Sequence, residues 1–294
     1  MSSFMTKRLD TKILRALGLA AVAATLALSA PAMAAGGAKH PHAPKEGFSF
    51  EGPLGTFDQA QLQRGYKVFR EVCSNCHSAT LLSFRNLGQK DGPFYDEKYK
   101  NPNENPVVKQ LASEFEVPDV DTDTGDAITR PATPSDHFPA KYANSYAAAA
   151  SNAGAVPPDL SVITKARHGG ARYVYSLLTG FHEPPKGLHV AQGQHYNPYM
   201  AGSLATQWSG DPHKVPEGGV LAMAPPLRDG LVTYDDNTPS TVHHMAADVA
   251  AFLEWAGDPH ATLRKKTGVA VIIYLLLFAG LTYAAYRKLW HNKH

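Results

Sequence analysis

Cys73-Ser74-Asn75-Cys76-His77 decides how the rest of this 294-residue chain is read. Two cysteines separated by two residues, with histidine directly after, form the c-type haem attachment pattern. Each thiol can add across one vinyl group of a porphyrin, and the histidine beneath the ring supplies an axial nitrogen. The spacing matters because both sulfurs must reach neighbouring edges of one ring while His77 stays under the metal. A structural zinc site competes for the same motif. It wants a second pair of ligands, however, and Cys73 and Cys76 are the chain's 2 cysteines. A redox C-x-x-C belongs in a thioredoxin-like βαβ context, which the flanking sequence lacks. The expectation is one haem c, bound through Cys73 and Cys76 with His77 on the iron.

Both ends of the chain bear on where such a haem would reside. Lys7, Arg8, Lys12 and Arg15 precede an uncharged Ala/Leu-rich run, and Ala32-Met33-Ala34 supplies a small-x-small cleavage site. Residues 1–34 therefore read as a secretory signal peptide. Export agrees with the haem motif, and with both cysteines committed no disulfide is expected. Thr267 to Tyr286 is uncharged. As a helix this stretch spans about 30 Å, the thickness of one hydrocarbon core. Tyr283, Tyr286 and Trp290 stand where interfacial aromatics belong. Arg264, Lys265 and Lys266 flank one end, and Arg287, Lys288 and Lys293 the other, so the positive-inside rule decides nothing. The leader and the haem decide instead. Residues 35–263 are expected in the periplasm as a haem domain, with 264–294 as a single membrane anchor and short cytoplasmic tail in a bacterial inner membrane.

The overall charge of +2 hides an asymmetry. Four of the 28 basic residues lie in the leader and six from Arg264 onward, whereas one acid, Asp10, lies outside residues 35–263. The haem domain therefore carries −7, which excludes nucleic acid and favours a basic partner.

Along the chain, Asp58 reads as the N-cap of a helix with Gln61 reciprocal, Phe57 and Leu62 as a staple, and Leu62, Tyr66, Phe69 and Cys73 on one face. Asn105-Pro106 starts a short helix through Phe115. Glu114 to Asp126 packs six acids into a stretch without a base. An EF-hand register fails, since Thr124 and Arg130 stand where Gly and Glu are needed. The stretch reads as a solvated acidic loop or a docking surface. Asp159 is expected to cap a helix ending at Arg167-His168-Gly169-Gly170, followed by a helix over Arg172 to Leu178 that stops at Gly180. Residues 182–219 read as loop. Thr238-Pro239 is expected to open the last helix before the membrane, with Val242, Met245, Val249, Phe252, Leu253 and Ala256 facing the core. The fold class is mostly α: a cytochrome c-like haem domain with long loops plus one C-terminal transmembrane helix.

A haem with one protein ligand binds gases or peroxide, whereas one with two strong ligands moves electrons. Met245 fits core packing, and Met200 follows Asn197-Pro198-Tyr199 in a loop. Met223 precedes Pro225-Pro226, which stiffen the backbone that would present its thioether. His137, His168, His182, His189 and His195 are rivals. The residues alone leave Met223 in front and the others open.

The chain resembles the cytochrome c1 family. The resemblance rests on C-S-N-C-H, Arg130-Pro131 with Ser135-Asp136-His137-Phe138-Pro139, and Pro157-Pro158-Asp159-Leu160-Ser161. It continues through Ala166-Arg167-His168-Gly169-Gly170, Ser176-Leu177-Leu178-Thr179-Gly180, Asn197-Pro198-Tyr199, Met223-Ala224-Pro225-Pro226 and the single span after Arg264-Lys265-Lys266. It implies that Met223 is the sixth iron ligand, that Arg167 pairs with a haem propionate, and that Asn152, Pro157, Pro158 and Tyr173 line the pocket. It also implies one-electron transfer without catalytic residues, beside cytochrome b and Rieske iron-sulfur subunits, to a soluble or membrane-bound cytochrome c. Two departures stand out: residues 202–219 look like an insertion, and Ser151-Asn152-Ala153-Gly154 replaces the family's double Asn. An anchored carrier of another respiratory chain, or a haem peroxidase or gas-binding protein, are the alternative functions.

Overall fold

The computed structural model describes residues 37–291; the expected signal peptide lies outside them. The molecule is mostly helical, with two small sheets and one long apolar helix at its C-terminal end.

Helix α1 (Gln59–Glu71) starts where its cap dictates: the Asp58 carboxylate accepts from the Gln61 amide at 3.0 Å. Such a cap is worth about 1 kcal/mol. Its buried face is Leu62, Tyr66, Val68 and Phe69. Helix α2 (Pro106–Ser113) begins as read, with the Asn105 side chain accepting from the Val107 and Val108 amides, but it ends before Phe115. The chain then forms an antiparallel hairpin, β1 (Glu116–Val120) with β2 (Ala127–Pro131). The acidic stretch is thus a hairpin rather than a loop. The reason lies beyond the stretch itself: Arg130, opposite Val117, bonds Asp119 at 2.5 Å and Asp136 at 2.7 Å.

Helices α3 (Ser145–Ser151), α4 (Ile163–Ala166) and α5 (Ala171–Thr179) follow. Gly180 stops α5, as expected. Asp159 does not cap α4. It accepts instead from the Thr80 and Ser161 amides and from the Thr80 hydroxyl, because the two prolines before it present its carboxylate to the segment after His77. The loop 182–219 contains β3 (His195–Asn197), which pairs with β4 (Gly219–Leu221) across residues 198–218. A small separate cluster of Leu188, Tyr196 and Leu204 sits beneath it. Gly218 must be glycine: its φ is +104°, and a Cβ would stand 2.4 Å from the Asn197 carbonyl oxygen.

Helix α6 (Val242–Gly257) is capped by Thr241 and so starts four residues beyond Thr238. Its expected core face is buried from Met245 onward, with Val242 half-buried against the core, and Ala246, Asp248, Ala250 and Trp255 are buried too, so the helix is enclosed nearly all round. It packs along α1 and α5. Gly65 permits the α1 contact, since a Cβ there would meet the Asp248 carbonyl oxygen at 2.1 Å. Phe69, Phe138 and Phe252 interlock in this core, and Phe84 stacks on Phe138 at 4.3 Å. Each such ring contributes roughly 1.5–3 kcal/mol through burial. Helix α7 (Ala261–Trp290) contains the whole uncharged run and keeps its large apolar side chains exposed, as a membrane anchor does.

Candidate haem site

α1 delivers Cys73 at its end. A tight 3-10 turn (Cys73–Asn75) follows, with the Cys76 and His77 amides both donating to the Cys73 carbonyl, at 3.1 and 2.9 Å. Two free thiols and one imidazole thus share a single tight turn of the chain. Cys76 is exposed and Cys73 half-buried. Burial pushes the Cys73 thiol up to about 12.

His77 is oriented by a partner. Its Nδ1 lies 2.8 Å from the Pro158 carbonyl oxygen. A carbonyl only accepts, so Nδ1 carries the proton and Nε2 keeps its lone pair for a metal. Burial shifts the imidazole below its usual range. Pro158 is itself fixed. Asp159 binds Thr80 and Ser161, the Leu160 amide donates to the Ser78 carbonyl at 2.8 Å, and the Leu81 amide to the Ser161 hydroxyl at 3.0 Å. Asp159, Thr80 and Ser161 were not singled out as site residues by sequence reasoning. Asp directly after Pro-Pro was the available signal, because it marks a turn whose carboxylate gathers backbone amides.

The methionines separate by what their sulfurs meet. Met245 Sδ accepts from the Ser240 hydroxyl at 3.4 Å and is fully buried. Met200 Sδ accepts from the Tyr173 hydroxyl at 3.7 Å. Met223, half-buried two residues after β4, has no hydrogen bond to its sulfur among the described residues. Arg167 is exposed, and its hydrogen bond among the described residues is to the Ala166 carbonyl, leaving the guanidinium without a carboxylate. Asn152 ends α3 and spends both amide protons, on the Ala148 carbonyl at 2.7 Å and the Tyr142 hydroxyl at 3.0 Å. Pro157 is half-buried and Pro158 exposed. The structure thus joins His77 to Pro158 and Tyr173 to Met200, while Met223, Arg167 and Asn152 stand on separate segments.

Beside the motif lies a cleft of about 340 Å³, walled by Phe69, Asn75, His77, Phe138 and Lys141 among others. Among the described residues no group of three His, Cys, Asp or Glu side chains could hold a metal ion, so a protein-only zinc or calcium cage does not form there. Two thiols, an imidazole with a directed Nε2 and an uncommitted thioether are instead the donor set that suits haem.

A C-x-x-C-H turn on a domain that carries one long apolar helix is the mark of a membrane-anchored c-type cytochrome. The comparisons specify which: the model of the Cytochrome C1 family matches residues 48–293, and the chain belongs to that family. It is 37% identical over 297 residues to the cytochrome c1 of Rhodospirillum rubrum, covering 94% of this chain and 97% of that one. It is 41% identical over 246 residues to a mitochondrial cytochrome c1 haem protein of Arabidopsis thaliana, covering 84% and 71%. It is 38% identical over 270 residues to the cytochrome b/c1 of Bradyrhizobium diazoefficiens, covering 85% of this chain but 36% of that longer protein. Haem, electron transport and a membrane anchor thus follow from the family and the fold.

Proposed function

We propose that this chain is the cytochrome c1 subunit of a bc1 complex, accepting single electrons from a Rieske iron-sulfur protein and passing them to a cytochrome c. What supports this reading is a His77 fixed by a carbonyl, together with a thioether, Met223, whose sulfur has no hydrogen bond among the described residues. Cys73 and Cys76 would hold haem c covalently, and His77 and Met223 would ligate its iron. Haem iron supplies reversible one-electron chemistry when bound. The protein's part is to bind and orient. The Pro158 carbonyl sets the imidazole tautomer, Pro225-Pro226 stiffen the segment carrying Met223, and the free Arg167 guanidinium is suited to a propionate carboxylate. Asn152 would act indirectly, by fixing the end of α3, and Tyr173 by holding Met200. Cleavage after Ala34 and the single C-terminal span would leave the haem domain in the periplasm of a bacterial inner membrane. An affinity tag on the tail, followed by gentle detergent extraction, should bring down cytochrome b and Rieske subunits with the haem protein. Recovery of a low-spin, methionine-ligated haem protein without them would mean an anchored carrier of another chain.

A further inference from the structure

A second cavity, of about 250 Å³, lies at the foot of the membrane helix. Its walls are the loop around Phe50–Phe57, the Gly169-Gly170 turn, the end of α6 and the first turn of α7. The charged lining is Glu51, Glu254 and Asp258 against Lys165, Arg264 and Lys265. The wall is therefore polar but balanced in charge.

The depth of the cavity is set by the sequence. Lys265 stands two residues before Thr267, where the uncharged run begins. Two helical residues rise about 3 Å, so the cavity sits level with lipid headgroups, where basic side chains meet phosphate. The pairing within the wall is uneven. Lys165 pairs with Glu254, Arg264 with Asp258, and Arg172, from outside the cavity, with Glu51 at 2.7 Å. Lys265 instead donates to the carbonyls of Phe50 and Gly55, so it is the lining cation without a carboxylate among the described residues. Gly170, at φ +55°, keeps the other side open: a Cβ there would stand 3.2 Å from Glu254 Oε2.

We propose that this cavity binds the headgroup of a zwitterionic phospholipid bearing a primary ammonium. The phosphodiester oxygens accept from Lys265 and Arg264, and the ammonium donates to Glu254 and Asp258. A purely anionic headgroup would bring no cation to Glu254 and Asp258. A choline headgroup has no N–H to give them.

Delipidated full-length holoprotein in detergent tests this by native mass spectrometry. Short-chain phosphatidylethanolamine, phosphatidylcholine, phosphatidylglycerol and inorganic phosphate are the probes. The ethanolamine lipid should bind about tenfold tighter than the other two, the loss of one charge-assisted hydrogen bond. Glu254→Gln should bring the ethanolamine-to-choline ratio close to one; Asp258→Asn serves if the first variant loses haem or melts early. Arg264→Gln should weaken both lipids alike, and Lys288→Gln, at the far end of the helix, neither. Equal binding of the three lipids, an undiminished preference in both carboxylate variants, or displacement of the lipid by equimolar phosphate would overturn the proposal.

Discussion

Met223, Met200 and Met245 have the same side chain and differ in what their sulfurs meet. Hydroxyls of Tyr173 and Ser240 occupy two of them. Met223→Leu keeps volume and removes the donor, so covalent haem should remain while the potential falls, the far-red sulfur-to-iron band disappears and carbon monoxide binds. Met200→Leu should keep the band. Absorption spectra and redox titration of both variants decide the matter, and the reverse pattern would assign the ligand to Met200. Asp136 supports a pH prediction. Arg130 donates to both of its oxygens, and Thr133 adds an amide and a hydroxyl, holding the carboxyl well below its usual range. The folded value lies below the unfolded one, so the stabilisation is complete above about pH 4 and is lost as pH falls through the folded value. Asp136→Asn should cost ~1 kcal/mol near neutrality, allowing for solvent screening of the pair. In urea titrations that cost should shrink toward pH 2; a constant cost would assign it to packing.

The hairpin β1–β2 shows how an element redistributes charge that looks uniform along the chain. Of the six acids from Glu114 to Asp126, Glu114, just before the hairpin, is taken by Arg70 at 2.6 Å and Asp119 by Arg130 at 2.5 Å. Asp121 turns inward, accepting from the Asp123 and Thr124 amides at the tip. Glu116, Asp123 and Asp126 stay exposed and are therefore acids available to steer a basic cytochrome, Asp123 and Asp126 being the pair at the hairpin's turn. Screening at about 8 Å confines such attraction to close range at physiological salt. Replacing both by Asn should slow association at low ionic strength and flatten the salt dependence measured by stopped flow, with the haem spectrum unchanged. Asp119→Asn should instead loosen the hairpin and leave the salt slope alone. An unchanged slope in the double variant would move docking elsewhere. The β3–β4 pair plays another part: it closes residues 198–218 with backbone bonds and hands the chain to Met223 two residues later.

For the whole molecule, a single span through the bilayer would put the haem domain and the C-terminal tail on opposite sides of it. α7 exposes Val271 to Trp290 around its circumference, which only lipid or partner helices can cover. Protease added to intact spheroplasts should degrade the haem domain and spare a C-terminal tag. Protection of the haem domain with loss of the tag would reverse the topology.

Local chemistry wrote much of this into the chain. C-S-N-C-H, Asp58, Asn105-Pro106, Gly180 and the Thr267–Tyr286 run each act through neighbours a few residues away, so their meaning survives without the fold. What needed the tertiary structure came from distant partners. Arg130 reaches back to make a hairpin of an acidic stretch, and Asp159 abandons a nearby helix for Thr80, far away in sequence. The imidazole tautomer depends on Pro158, and the spare thioether of Met223 is known only once Tyr173 and Ser240 have taken the other sulfurs. The physical reason is common to all four. Hydrogen-bond donors and acceptors are spent on whichever partner packing brings nearest, and packing is a property of the closed chain.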